Sequence, residues 1–150
     1  MKFTTIALIA WFTLSASCFG RLGETFEECQ ARYGLLVKVD SKLRPDFPQY
    51  CFVKDGIEIR IRFFNSHSAQ ETFSGIDNNL TDLTVAEILN ANAQGSTWSP
   101  MKVGHAMAYT RQDKKATAQY VRSRGKSKSD TLTVQTGEFA QIIKGPGTDF

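Results

Sequence analysis

Apolar and polar positions alternate most strictly along Ile57-Glu58-Ile59-Arg60-Ile61-Arg62-Phe63. Successive side chains of a strand point to opposite faces, so this run spells one apolar face and one charged face. Asp55-Gly56 just before it reads as a hairpin turn, with a partner strand over 49–53. Strands are also predicted over 35–39 and 69–73, with the segment 42–48, which holds Pro45 and Pro48, as a loop. Upstream, Thr25-Phe26-Glu27-Glu28 has the Thr-x-x-Glu spacing of a capping box, in which hydroxyl and carboxylate each satisfy a backbone N–H of the first turn. Phe26, Cys29 and Tyr33 then share one helical face, and Gly34 supplies a stop, which predicts a helix over about 25–33.

The pattern then repeats. Thr84-Val85-Ala86-Glu87 is a second Thr-x-x-Glu, and predicts a helix starting at Thr84 with Leu83 and Ile88 as a hydrophobic staple. Val85, Ile88 and Leu89 form its buried stripe, and Gly95 ends the unit. Strands follow over 105–110, 116–122 and 131–136, and the segment 139–143 reads as a further edge strand. The expected fold is α+β: two short helices on one face of an antiparallel sheet of about seven strands. It carries a weak helix-then-meander repeat; the alternative is one α+β fold whose helices have no special relation. Neither half buries enough surface to stand alone, so both readings imply one domain.

Composition changes this picture mainly at the N-terminus. The chain has 150 residues, of which 41% are hydrophobic and 22% charged, the balance of an ordinary globular protein. Lys2, an apolar run over 3–14 and the small residues Ser15, Ala16 and Ser17 follow the order of a secretory signal. The alternative is a buried first helix of the fold. Cleavage fits after Ser17 or after Gly20, and lipidation of Cys18 is a third processing route, although Leu14 stands four residues before it where a lipobox wants three. The expected division is a signal peptide over 1–20, one domain over 21–144 and a flexible tail over 145–150. No apolar run reaches the ~20 residues of a membrane-spanning helix.

Export suggests that Cys29 and Cys51 form a disulfide, the alternative being two separate buried thiols. The pairing bears on the hairpin register. A two-residue loop pairs Cys51 with Arg60 and puts Tyr50 and Phe52 on the Ile face. A three-residue loop with Gly56 as a bulge pairs Cys51 with Ile59, turning Cys51 beneath the first helix. Because only the second register lets the cysteines meet, it is the expected one. Tyr50 and Phe52 would then join Glu58, Arg60, Arg62 and Phe64 on the open face, a mixture of aromatics and arginine that suits protein contact. The alternative is that these aromatics are simply covered.

Charge is unevenly divided, with 8 basic and 11 acidic residues from Arg21 to Trp98 but 9 and 4 from Ser99 onward. Arg122, Arg124, Lys126 and Lys128 carry most of the excess. They read as a solvated turn or as a contact for an acidic partner or anionic envelope surface. No nucleic-acid fingerprint accompanies them, so no nucleic-acid partner is expected. Hydrolase, metalloprotease, nucleotide and dinucleotide motifs are absent, and His67 and His105 lack ligand-like spacing to a cysteine. The chain is therefore expected to be non-catalytic, with no cofactor and no metal.

Arg21-Leu22-Gly23-Glu24-Thr25, Glu28-Cys29, Arg32-Tyr33-Gly34, Phe52-Val53-Lys54-Asp55-Gly56-Ile57, and the later Asn92, Gly95, Ser96 and Trp98 resemble blocks of a set of small exported bacterial proteins with no assigned activity. More remotely, the arrangement is similar to the fold of the β-lactamase inhibitor protein and of the small lipoprotein of the outer-membrane β-barrel assembly machine. It departs from the inhibitor in having one helix per half. That resemblance implies helices on one face of an antiparallel sheet and a role in binding proteins. The expected function is thus a periplasmic or secreted protein-binding module with an unknown protein partner. The alternatives are an envelope-anchored structural lipoprotein with its lipid on Cys18 and an enzyme of unrecognised type.

Overall fold

The computed structural model describes residues 19–78, 80–123 and 129–144. The expected leader as far as Cys18, the cationic Arg124, Lys126 and Lys128, and the expected tail over 145–150 lie outside the described residues. The first half comprises α1 (Phe26–Tyr33), β1 (Lys38–Asp40), β2 (Gln49–Lys54), β3 (Ile57–Phe64) and β4 (His67–Gly75). The second comprises α2 (Asp82–Ala91), β5 (Trp98–Val103), β6 (Ala106–Arg111), β7 (Ala116–Val121) and β8 (Thr131–Thr136), and α3 (Gly137–Lys144) closes the described chain. The strands form one antiparallel sheet in the order β1-β2-β3-β4-β8-β7-β6-β5. Each half is thus a helix followed by a four-stranded meander, and the two meanders join through their last strands. The fold class is α+β, with helices packed on an antiparallel sheet. Among the described residues no helix is long and apolar enough to cross a membrane.

The core lies between the sheet and the first two helices. Phe52, Ile59, Ile61, Phe73, Leu132 and Val134 are fully buried from the sheet. From α1, Cys29 and Tyr33 enter the same cluster, and from α2, Val85, Ile88 and Leu89. Each fully buried aliphatic or aromatic side chain here contributes about 1.5–3 kcal/mol. At the seam of the two meanders Phe73 pairs with Leu132 and Glu71 with Val134, so the centre of the core is built across the halves.

The capping box of α1 is formed as its spacing predicts. Thr25 Oγ1 accepts from the Glu28 N–H at 3.3 Å, and Glu28 Oε2 accepts from the Thr25 N–H at 2.8 Å. Gly34 ends the helix at φ +90°.

The second helix begins earlier than expected. Its N-cap is Thr81, whose Oγ1 accepts from the Thr84 N–H at 3.2 Å, and Thr84 lies inside the helix. Leu80 and Val85 occupy the two staple positions for this start, and both are buried, whereas Leu83 is exposed. Asp82 in the first turn adds a favourable charge at the positive helix end. An anchored Leu80 and a well-placed Asp82 outweigh the Glu87 that favours the later start.

Two other elements differ from expectation. The segment expected as an edge strand over 139–143 is α3, because Phe139, Ile142 and Ile143 follow helical rather than alternating spacing. The Thr136 hydroxyl accepts from the Phe139 N–H at 3.2 Å at its start. The sheet also gains β5, whose Pro100 obscures a strand pattern but is tolerated at a sheet edge.

The register of β2 and β3 is the two-residue one, which corrects the expected three-residue loop. Lys54 pairs with Ile57, Phe52 with Ile59 and Cys51 with Arg60. Asp55 (φ +51°) and Gly56 (φ +73°) both adopt left-handed conformations, as a type I′ turn requires.

The fold also reaches back past the expected boundary at Arg21. Phe19 is buried and meets Phe73 edge-on at 6.2 Å. The Gly20 N–H donates to the Tyr33 hydroxyl, and its carbonyl accepts from Asn92 Nδ2 at 3.2 Å. Asn92 Oδ1 accepts from the Leu22 N–H at 2.8 Å, while Arg111 Nη1 holds the Asn92 carbonyl at 2.9 Å. This buried polar clamp ties residues 20–22 to the end of α2 and the end of β6.

Candidate functional site

The sheet face opposite α1 and α2 is a preformed polar surface. Three rows of side chains cross it, as the strand register dictates. One runs Glu58, Ser74, Thr131, Val121; the next runs Arg60, Thr72, Thr133, Gln119; the third runs Arg62, Gln70, Gln135, Thr117. Cross-strand bonds order them. Arg62 Nη1 donates to Gln70 Oε1, and Gln70 Nε2 donates to Gln135 Oε1 at 2.8 Å. The Thr72 and Thr133 hydroxyls lie 3.2 Å apart. Glu58 and Arg60 form an ion pair along β3. Toward β6 the rows enclose a shallow hollow of about 340 Å³, bordered by Thr110, Thr117, Gln119, Thr133 and Gln135.

The six residues expected to form one binding patch are divided by the sheet. Glu58, Arg60, Arg62 and Phe64 do lie on this outer face. Tyr50 and Phe52 lie on the other, because the two-residue turn shifts β2 by one position. Phe52 is wholly buried, in contact with Phe26 and Tyr33. Tyr50 is half-buried between Phe26 and Phe63. Phe64 is not open either. Its ring lies 6.4 Å from Phe47 and 6.4 Å from the buried Phe139 of α3, which covers this corner of the face. The aromatic component expected of the patch is therefore packing.

The expected disulfide is not formed. Cys29 and Cys51 are free thiols, Cys29 in the core under α1 and Cys51 on the side of Arg60. Burial, reinforced by Glu71 and Glu24, raises the Cys29 thiol far above its usual range, and burial also raises Cys51. At Cys51 the neighbouring Lys38 and Arg60 oppose the rise but burial prevails, so neither thiol is poised as a thiolate.

Arg122 is committed within the fold. It makes a two-oxygen contact with Asp82 of α2 and lies over the Tyr120 ring at 5.7 Å. His67 sits at the start of β4 with Nδ1 2.8 Å from the Asn65 carbonyl, and His105 lies in the β5–β6 turn. Among the described residues no three His, Cys, Asp or Glu side chains converge as a metal would require.

Sequence reasoning missed one group, Glu71. It is fully buried between the sheet and the α1 side, and neither carboxylate oxygen has a well-aligned hydrogen-bond partner. Burial pushes its carboxyl up to about 7, with Glu24 adding to the rise, while the Ser68 and Tyr33 hydroxyls and Arg32 oppose it. The signal was available: Glu71 stands two residues before Phe73 in a strand, so it shares that inward face.

No family model matches this chain, and no curated protein matches it. Similar solved structures include a pair of secretory or extracellular proteins. A cysteine-rich secretory protein from Staphylococcus aureus subsp. aureus Mu50 aligns with a TM-score of 0.45 and 16% identity, covering 79% of this chain and 45% of that one. An extracellular protein containing an SCP domain from Bacillus anthracis str. Ames aligns with a TM-score of 0.48 and 10% identity, covering 99% of this chain and 56% of that one. The chain spans about half the length of these two proteins.

Proposed function

We propose that this chain is an exported, non-catalytic protein-binding module whose contact surface is the outer sheet face. The observation that carries this reading is the three ordered rows of Thr, Gln, Ser and Arg side chains. Short hydroxyl and amide groups on a rigid sheet offer donors and acceptors with little conformational entropy left to lose on binding. Cross-strand bonds such as Gln70 to Gln135 fix several of them before any partner arrives. Export rests on the leader-like order of residues 1–17.

The test is affinity capture from envelope and culture fractions of the producing cell, comparing the native chain with Gln119→Arg and Thr133→Arg. Gln119 is exposed and Thr133 half-buried on the outer face, so both variants keep the core. The expected result is a partner retained by the native chain and lost by both variants at unchanged melting temperature. A captured set that is the same for all three proteins overturns the assignment of this face.

A second reading is an envelope lipoprotein anchored through Cys18. It draws support from the burial of Phe19 and Gly20, since a cut after Gly20 removes both, while a cut after Ser17 keeps them and leaves Cys18 first. Retention in a membrane fraction that is lost in Cys18→Ala supports this reading; unchanged partitioning refutes it.

A further inference from the structure

On the opposite side of the sheet, α2 does not reach the far end of β5, β6 and β7. A cleft of about 840 Å³ opens there, within the ~300–1,000 Å³ typical of small-molecule sites. Its floor is apolar, formed by Val85 and Leu89 of α2 with Met107, Tyr109 and Tyr120 of the sheet. Its mouth is polar and cationic. Lys102 and His105 stand on the β5–β6 hairpin, and Arg122 and Ser123 at the end of β7.

The charge of the lining points to a ligand with a negative head. Asp82 is the one acidic residue in the lining, and it is already paired with Arg122. Lys102 has no ion-pair partner among the described residues, so the lining keeps one uncompensated positive charge.

From the apolar floor and this charge we infer a binding site for an amphipathic carboxylate, a free single-chain fatty acid, with its chain along Leu89, Met107 and Tyr120 and its head at Lys102. The site is separate from the outer face, because Lys102, Met107 and Tyr120 point to the helix-covered side of the sheet.

Isothermal titration of the purified protein with dodecanoate, below the concentration at which it forms micelles, tests this. The expected result is one saturable site that dodecyltrimethylammonium, with the same chain and a positive head, does not fill. Ala86→Trp fills the cleft from an exposed position on α2 and should weaken dodecanoate at least tenfold. Lys102→Glu keeps the floor intact and should weaken dodecanoate while admitting the cationic surfactant. Equal binding of the two surfactants by the native chain, binding unchanged by both variants, or no saturable binding of dodecanoate overturns the inference.

Discussion

Replacing Glu71 by Gln keeps the shape of the protonated side chain and removes its titration. In the folded protein burial holds this carboxyl near 7, against about 4.5 in an exposed chain. The ionised form is therefore about 3 kcal/mol less compatible with the folded state than the neutral form. The sign follows from proton binding. Between pH 4.5 and 7 the folded state holds the Glu71 proton and the unfolded chain releases it. Stability from this group is complete below about pH 4.5, falls as pH rises, and is lost by the time pH passes through 7. The groups facing Glu71 are Ser68 on its own strand, Tyr33, Arg32 and Cys29 on α1, and Glu24 ahead of that helix. The other carboxylate among them, Glu24, is ion-paired with Arg32. Urea unfolding at half-unit steps from pH 4.5 to 8 reads it directly. The native chain should lose about 3 kcal/mol across the range, and Glu71→Gln should stay flatter and be the more stable protein at pH 8. Parallel curves for the two proteins would refute the reasoning.

Two further outcomes follow from the described structure. Thr81→Ala should lower stability by about 1 kcal/mol in urea unfolding, as the loss of an N-cap does, and Thr84→Ala should cost less because its hydroxyl only touches Thr81. Thiol labelling of denatured protein without reductant should modify both Cys29 and Cys51; in the native state both should react slowly, Cys29 the more slowly, and thiols at these two positions that label only after reduction would contradict their placement.

The parts of this fold that the sequence exposes are those where one local signal acts without a competitor. The alternation at 57–63 leaves one way to bury four apolar side chains, and β3 forms there. Thr25 and Glu28 form the box of α1 because no other cap stands nearby. At α2 two threonines three residues apart both satisfy the N-cap rule, and the choice falls to Leu80, whose burial depends on the rest of the core. In α3 the apolar run is too short for its period to separate helix from strand. The decision there comes from Phe47 and Phe64, which Phe139 meets only in the folded chain. The outer-face rows depend on the pairing of β4 with β8, strands 57 residues apart at the Ser74–Thr131 contact. Parity within each strand is visible in the sequence, but which strands adjoin is not.

The hairpin at Asp55-Gly56 shows why a supposed covalent link is a weak guide to register. A disulfide closing so short a loop contributes about 3 kcal/mol. Choosing the three-residue register to obtain it would move Tyr50 and Phe52 out of the core and bring in Cys51 and Val53. Phe52 alone loses its contacts with Phe26 and Tyr33, and truncations of buried aromatics cost about 3–5 kcal/mol. Tyr50 would also leave Phe26 and Phe63. The two-residue turn meanwhile matches the twist of the strands through the positive φ of Asp55 and Gly56. Aromatic burial and turn chemistry act together and exceed the contribution of the cross-link. Once Phe52 is inside, Cys51 must point to the other face, with the sheet between it and Cys29. The same one-residue shift places Cys51 beside Arg60, at the border of the polar rows rather than beneath α1.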